Sequence, residues 1–354
     1  MRICLIASSR FPVREPYQGG LEAHTAMLAD QLIRRGHTVS LFAAPSSDER
    51  FNIEHLDVGQ FESSTASRRD VGALPEEWMR EHHAYLKLML MLIKDGQDRF
   101  DIVHNNSLHH LPVAMAGALP VPMVSTLHTP PLAWLESAIT VNTGNIAFTS
   151  VSRYTAKAWA HVTPSRTILN GVDTNLWKAG PGGSAAVWTG RLVPEKAPHF
   201  AVLAARKAGM SLRLAGARLD SNYFEHVLAP LLGDGIEYVG HLCQQELVTL
   251  VGESAVALVS PAWDEPFGLV AAEAMACGTP VAAFARGALP EIVGRVAGRL
   301  ATPDDVGSLA EATIDARRID RTKVRAYAVE QLGVDPMVDG YQRLYKSEIE
   351  GPTR

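Results

Sequence analysis

Glu265 and Glu273 stand eight positions apart in the segment Trp263-Asp264-Glu265-Pro266-Phe267-Gly268-Leu269-Val270-Ala271-Ala272-Glu273-Ala274-Met275-Ala276-Cys277-Gly278-Thr279-Pro280-Val281. A strand ending at Ser260-Pro261, a Pro/Gly loop and a helix starting near Phe267 or Gly268 would leave Glu265 in the loop. Glu273 would then lie about one and a half turns into the helix, roughly 8 Å along its axis at ~1.5 Å per residue. Two carboxylates so spaced can grip two parts of one extended ligand. The helix start between them offers free backbone N–H groups and the positive end of a dipole, suited to a phosphate or to sugar hydroxyls. The plainer alternative is a solvated loop acid and a helix-surface acid. Glu273, however, sits in an Ala-rich, otherwise apolar stretch, where an unpaired charge is costly.

Cations of matching type occur in Thr189-Gly190-Arg191-Leu192-Val193-Pro194-Glu195-Lys196. There a strand runs into a glycine, and Arg191 and Lys196 follow in a loop. Arginine supplies a planar fork and lysine a mobile point charge, a pairing that fits a diphosphate. The alternative, two solvated surface cations, is weakened by the strand-end position. A third segment, Tyr17-Gln18-Gly19-Gly20-Leu21-Glu22, leads into an amphipathic helix. Adjacent glycines let backbone approach a ligand closely, and the helix start again favours an anion, although Gly-Gly is also common in plain turns.

Such loops must be held by strands. Short apolar runs at Ile3–Ser8, Thr38–Ala43, Asp101–His104, Met123–Leu127 and Phe148–Val151 alternate with helical stretches, including Leu21–Arg35 and Glu76–Lys94. After a Lys-Ala-Gly-Pro-Gly-Gly-Ser stretch at Lys178–Ser184 the alternation restarts. Ala185–Thr189, Ser211–Ala215, Ile236–Val239, Ala255–Ser260 and Pro280–Phe284 read as strands, and Phe200–Lys207 and Gln245–Glu253 as helices. Strands apolar on both faces and separated by helices imply parallel sheets covered on both sides. The fold class is therefore α/β, with two Rossmann-like doubly wound domains. The expected division is 1–178 and 179–335, with ligands beyond the carboxyl ends of the strands. No dinucleotide fingerprint follows the first strand, which runs Ser8-Ser9-Arg10-Phe11-Pro12, and this counts against a dehydrogenase.

Composition agrees. At ~150 residues per domain, 354 residues suggest two domains. With 47% hydrophobic and 20% charged residues the chain is an ordinary globular one, and a net charge of −5 gives no sign of nucleic acid as a partner. Three scattered cysteines, Cys4, Cys243 and Cys277, match no zinc or redox spacing and suit a reducing compartment. No run reaches the ~18–20 apolar residues of a membrane span, and the N-terminus reads as a first strand rather than a signal peptide. A cytoplasmic location is expected. Peripheral contact with a membrane, through Leu88–Ile93 with Arg80, Lys87 and Lys94, is the lesser alternative to a buried core helix.

Taken together, Glu265-Pro266-Phe267-Gly268 through Glu273-Ala274-Met275-Ala276-Cys277-Gly278-Thr279-Pro280-Val281 resembles the signature of family-4 retaining glycosyltransferases of the GT-B fold. Gly19-Gly20-Leu21-Glu22, His128-Thr129-Pro130, Leu169-Asn170-Gly171-Val172-Asp173, Gly190 to Lys196 and Gly287-Ala288-Leu289-Pro290-Glu291-Ile292-Val293 match in order, so the resemblance spans nearly the whole chain. It implies two domains facing across a cleft, with a final helix, about Pro336–Tyr345 within 336–354, returning to the first. It implies that Arg191 and Lys196 bind the donor's diphosphate and that Glu273 holds the ribose. Glu265 and the Phe267-Gly268-Leu269 backbone would hold the donor sugar, and His128 would touch it near the reacting carbon. Gly19 and Gly20 would approach the phosphate and acceptor side, Asn170 would lie near the interdomain crossing, and the base would lie near Gly240-His241-Leu242.

The implied reaction moves a hexose, with retention, from a nucleotide-diphosphate sugar (UDP favoured) to an acceptor hydroxyl of a sugar, small molecule or lipid-linked compound. No cofactor and no metal are expected. An Asp-x-Asp cluster is missing, and Asp304-Asp305 reads as a helix cap. His82-His83 and His109-His110 are expected to diverge as neighbours along a helix or strand do, rather than to converge on an ion. The pattern departs from the family at His104-Asn105-Asn106, where His-x-His is frequent, and at Lys196-Ala197 in place of Lys-Gly. His24, on the first helix, is where an inverting enzyme's base could sit. The alternatives are a nucleotide-sugar epimerase of the same fold, or an inactive homologue that binds only a nucleotide or partner. Oligomeric state is not legible.

Overall fold

The computed structural model describes every residue except Thr143, Asn145 and 352–354, so the end of the expected returning segment 336–354 lies outside the described residues. Two parallel sheets form the molecule. The first contains β1 (Arg2–Ile6), β2 (Thr38–Ala43), β3 (Asn52–His55), β4 (Ile102–Asn105), β5 (Met123–Leu127), β6 (Ile146–Ser150) and β7 (Arg166–Thr167), in the order β3-β2-β1-β4-β5-β6-β7. The second contains β8 (Ala186–Thr189), β9 (Leu212–Ala215), β10 (Ile236–Gly240), β11 (Val256–Val259), β12 (Val281–Phe284) and β13 (Gly298–Ala301), in the order β10-β9-β8-β11-β12-β13. In each sheet the strand order reverses beside the first strand, which opens a crevice at the carboxyl edge.

The apolar runs became strands because both faces are covered. In β1, Ile3 and Leu5 enter one buried cluster while Cys4 and Ile6 enter another. In the second sheet Val256 and Leu258 of β11 join Ala282 and Phe284 of β12 on one face. Ala257 and Val259 join Val281 and Ala283 on the other. This two-residue alternation places four packed layers of side chains against helices.

Three strands lie outside the expected list. Asn52–His55 stands at one edge of the first sheet. It is a half-exposed edge strand of polar composition, so no apolar run marks it. β7 has two residues and β13 is half-exposed in its middle, and both are too short or too mixed to stand out. The second long helix runs Glu76–Arg99, beyond Lys94. Its Leu88, Met89 and Leu92 are buried in the first half's core, while Lys87, Leu90 and Lys94 face outward.

The final helix, Val334–Glu350, is longer than the expected Pro336–Tyr345. Met337, Val338, Tyr341 and Tyr345 pack with Ile3 and Leu5 of the first sheet, so the chain's end completes the core of its beginning. Where the chain returns, Val172 N–H donates to Leu332 O at 2.8 Å, and a Cβ on Gly171 would sit 2.5 Å from Val334 Cα. The outgoing and returning crossings therefore lie side by side.

Candidate active site

The second half contributes two loops tied to each other. Ala262 N–H donates to Glu195 O at 2.9 Å, joining the loop after β8 to the loop after β11. Lys196 Nζ lies 2.6 Å from Glu265 Oε2 and 4.8 Å from the centre of the Trp263 ring. The Trp263 indole N–H donates to the same oxygen at 3.1 Å. Glu265 is thus held by a cation and an indole, while Arg191, whose nearest acid Glu195 is 3.7 Å away, stays open toward the cleft.

The backbone around Glu265 is fixed by close approaches that only glycine permits. Gly287 has φ +58°, and a Cβ there would stand 2.2 Å from Glu265 O; the next residue, Ala288, donates its N–H to that oxygen at 2.7 Å. Gly268, at φ +90°, is the N-cap of the Leu269–Ala276 helix. Pro266 O accepts from Ser152 Oγ at 2.6 Å and from Thr155 Oγ1 at 3.1 Å, which anchors the loop to the helix after β6. The helix begins just after Phe267-Gly268, as expected, and Glu273 lies on its second turn. Burial raises the Glu273 carboxyl from 4.5 to about 7, so the desolvation inferred from its Ala-rich neighbours is present.

The first half supplies the facing wall. The Gly20–Arg34 helix starts at the Gly-Gly pair, with Gly19 as N-cap. His128, after β5, lies with Nε2 2.8 Å from Asn106 Oδ1, and burial holds its pKa well below the usual imidazole value. His24, edge-on to His128 at 5.1 Å between ring centres, is fully buried, lacks a hydrogen-bond partner among the described residues, and is pulled down to about 4 by desolvation. Both imidazoles are neutral at pH 7. Burial raises Glu22, its own backbone N–H and the nearby Arg191 and Arg10 opposing the rise.

The halves touch. His241 Nε2 meets Tyr17 O at 2.8 Å, Gln244 N–H donates to Glu15 Oε2 at 2.9 Å, and a Cβ on Gly20 would lie 3.1 Å from Leu269 Cδ1. Between them is a cavity of about 820 Å³. Gly19, Gly20, His128 and Asn170 border it, and so do Arg191, Lys196, His241, Leu242, Glu265, Phe267, Gly268, Leu269 and Glu273, while Gly240, named with the base, does not. Asn170 is buried beside the crossing with its Oδ1 unpartnered among the described residues.

Sequence reading missed Trp263, Trp78 and Trp134; His82 and His83 diverge as expected, stacking on Trp78 and Phe61 respectively, but the His109-His110 pair was misjudged. His109 and His110 do not diverge: their rings stack at 4.4 Å. His109 is the extended N-cap of the His110–Ala114 helix (φ −82°, ψ 140°), its Nδ1 accepting from Leu111 N–H, so the pair spans a change of backbone direction rather than a helix or strand. With His82 they bring ring nitrogens within 4.8 Å of one another.

Two doubly wound halves enclosing a helix-capped cavity lined by both cations and carboxylates have the architecture of a GT-B glycosyltransferase. Residues 18–176 match the model for Glycosyltransferase Family 4, and residues 182–330 match that for Glycosyl transferases group 1. The chain is 28% identical over 362 residues to a glycogen synthase of Mycobacterium tuberculosis, covering 88% of this chain and 85% of that one. It is 28% identical over 383 residues to a D-inositol 3-phosphate glycosyltransferase of Saccharomonospora viridis, covering 92% and 87%. Among solved structures it resembles Anabaena HepE in complex with UDP and glucose (TM-score 0.75, 19% identity, 98% and 99% covered). It also resembles sucrose-phosphate synthase of Thermosynechococcus elongatus (TM-score 0.77, 19% identity, 97% and 98% covered). The chain belongs to the family-4 glycosyltransferases.

Proposed function

We propose that this glycosyltransferase moves a hexose from a UDP-sugar to an acceptor hydroxyl with retention and without a metal, in the cytoplasm. The observation that carries the reading is the convergence of Arg191, Lys196, the Leu269–Ala276 helix start and Glu273 on one side of the cavity, opposite Gly19-Gly20 and His128. HepE, a structural neighbour, holds UDP and glucose. The donor would lie mainly on the second half: diphosphate at Arg191 and Lys196, ribose at Glu273, base near His241-Leu242, and sugar against Glu265 and the Phe267-Gly268-Leu269 backbone. The acceptor would enter from the first half.

Breaking a glycosyl–phosphate bond puts negative charge on the departing diphosphate and positive character on the sugar. Fixed cations and a helix N-terminus stabilise the first. The acceptor oxygen then bonds to the anomeric carbon on the face the phosphate leaves, its proton passing to the departing phosphate oxygen. Glu265 is hydrogen-bonded to Lys196 and Trp263, which supports a role in positioning the sugar rather than attacking it. Contact between the halves excludes water and limits donor hydrolysis.

A thermal-shift screen across nucleotide sugars tests the donor: a rise selective for one base and sugar names it by ligand linkage. Arg191→Ala and Lys196→Ala should each weaken UDP binding by about tenfold or more, as loss of a charge-assisted contact requires. Unchanged UDP affinity in both would refute the assignment, and a rate abolished by EDTA would refute metal independence. His24 favours a second reading. It is a neutral imidazole at the cavity wall with no hydrogen-bond partner among the described residues, and an inverted anomer seen by NMR would give it the role of base.

A further inference from the structure

Opposite the donor loops, the first half presents an aromatic surface made from three separate elements. Trp78 opens the Glu76–Arg99 helix, His109 and His110 start the helix after β4, and Trp134 begins the Ala133–Val141 helix. The His110 ring stacks near Trp78 (6.3 Å, 17°) and Trp134 (5.3 Å, 28°), and the two indoles stand 5.7 Å apart. Behind them the rings continue through His109 to Tyr85 at 4.3 Å. Trp134 is 59% exposed, so together with Trp78 and His110 it forms a contiguous aromatic patch open to solvent. All five rings border the cavity.

The charge here is as informative as the shape. Burial pulls His109 down to about 3, and burial together with His82 lowers His110, so neither of these two imidazoles at the cavity wall is charged at neutral pH. Glu81, one turn from Trp78 and on the same face, borders the cavity and accepts from Ser9 Oγ at 2.9 Å. Among the described residues lining the cavity the cations are Arg10, Arg191 and Lys196. The last two belong to the donor side, which leaves the exposed Arg10, whose charge acts on the buried Glu22 carboxyl. A phosphate-bearing acceptor would need a guanidinium or ammonium cluster.

We propose that the acceptor is an uncharged ring polyol, a sugar or cyclitol without phosphate, that lies with its C–H face against Trp78, His110 and Trp134 and sends hydroxyls toward Glu81. The inference rests on the transferase reading above and adds the acceptor's chemical class. Aromatic faces accept the weakly positive C–H edge of such a ring, and a carboxylate accepts its hydroxyl hydrogens. A metal held by the histidines fits the geometry less well. His109 Nδ1 is engaged by Leu111 N–H, and the His109 and His110 rings stack face to face, 26° apart, rather than edge-on toward a common point.

The test uses the full chain and the UDP-sugar identified by thermal shift. Maltotriose and myo-inositol are compared as acceptors with glucose 6-phosphate and D-inositol 3-phosphate, both by product formation and by saturation-transfer NMR in the presence of UDP. A neutral ring should bind and be glycosylated with kcat/KM about tenfold or more above its phosphorylated counterpart. Trp134→Ala, at an exposed position, should raise the acceptor KM about tenfold while leaving UDP affinity within about threefold, and Trp134→Phe should restore most of the loss. Preference for the phosphorylated acceptors, transfer to phenols alone, failure of both neutral rings to bind, or an unchanged acceptor KM in Trp134→Ala would each overturn the proposal. So would stoichiometric Zn²⁺ in the purified protein that His110→Ala abolishes, because the surface would then be cationic. Failure of UDP to bind at all would instead overturn the underlying donor assignment.

Discussion

Glu273 shows how a single residue's setting converts into behaviour. In the unfolded chain its carboxyl ionises near 4.5, and in the fold near 7, because burial penalises the charge. Between those values the unfolded chain holds fewer protons, so this group makes stability fall as pH rises from 4.5 through 7 and leaves it flat above. The full effect is about 3 kcal/mol as an upper figure. Glu273→Gln should remove that slope and raise the denaturation midpoint at pH 8; the same slope in the variant would assign it to another group. If Glu273 holds the ribose, hydroxyl donors favour its ionised form, so UDP-glucose affinity should strengthen between pH 6 and 8. Calorimetry of the variant should show that dependence lost. Lys196 and Glu265 offer the complementary case: a pair 2.6 Å apart in which each charge balances the other.

Among the elements, the Val334–Glu350 helix does what its position in the chain does not announce. It lies across the first sheet and presents Tyr345 OH to His104 Nδ1 at 2.6 Å, while His104 Nε2 reaches Thr126 Oγ1 at 2.8 Å. Each of these groups is buried, and His104 is held neutral by desolvation, its pKa down to about 3. Tyr345→Phe leaves a buried ring nitrogen without its partner and should destabilise the protein by ~1–3 kcal/mol in a denaturant titration. A loss below ~0.5 kcal/mol would mean that the helix is held by its apolar face alone. The short Leu269–Ala276 helix is the opposite kind of element. Its residues are mostly small and buried, and its worth lies in where it starts, a point fixed by Gly268 and by the packing of Gly287 against Glu265.

At the scale of the whole molecule, the site exists because two sheets present their carboxyl edges to each other. Tyr17 with His241, Glu15 with Gln244, and Gly20 against Leu269 hold the cavity in a closed arrangement. Gly20→Val places two methyl groups where Leu269 already sits, so it should prop the halves apart. The expected result is a larger radius of gyration in solution and a turnover lower by about tenfold, since a small misplacement of reacting groups is enough for that loss. An unchanged scattering curve with unchanged turnover would show that the halves do not approach this closely during reaction. Among the described residues no helix is long and apolar enough to cross a membrane, and the outward side of the Glu76–Arg99 helix is mixed lysine and leucine rather than continuous apolar surface.

Residues near one another in sequence carried most of the donor side. The Glu265-to-Glu273 spacing and the Gly190-to-Lys196 loop each combine a strand end with a helix start, and the Gly19-Gly20 pair opens a helix on the facing wall; local rules of periodicity and capping suffice to read them. The apolar strands were legible for the same reason, whereas β3, β7 and β13 were not, because short or half-exposed strands take their pairing from neighbours rather than from their own pattern. The opposite wall was closed to such reading. Trp78, His110 and Trp134 come from three helices, and the stacking of His109 on His110 depends on a cap where the backbone turns, which no two-residue or 3.6-residue period encodes. The sequence alone determined which chemistry is present; tertiary packing decided what that chemistry faces, because contacts between distant elements are set by the assembled core and not by any local segment.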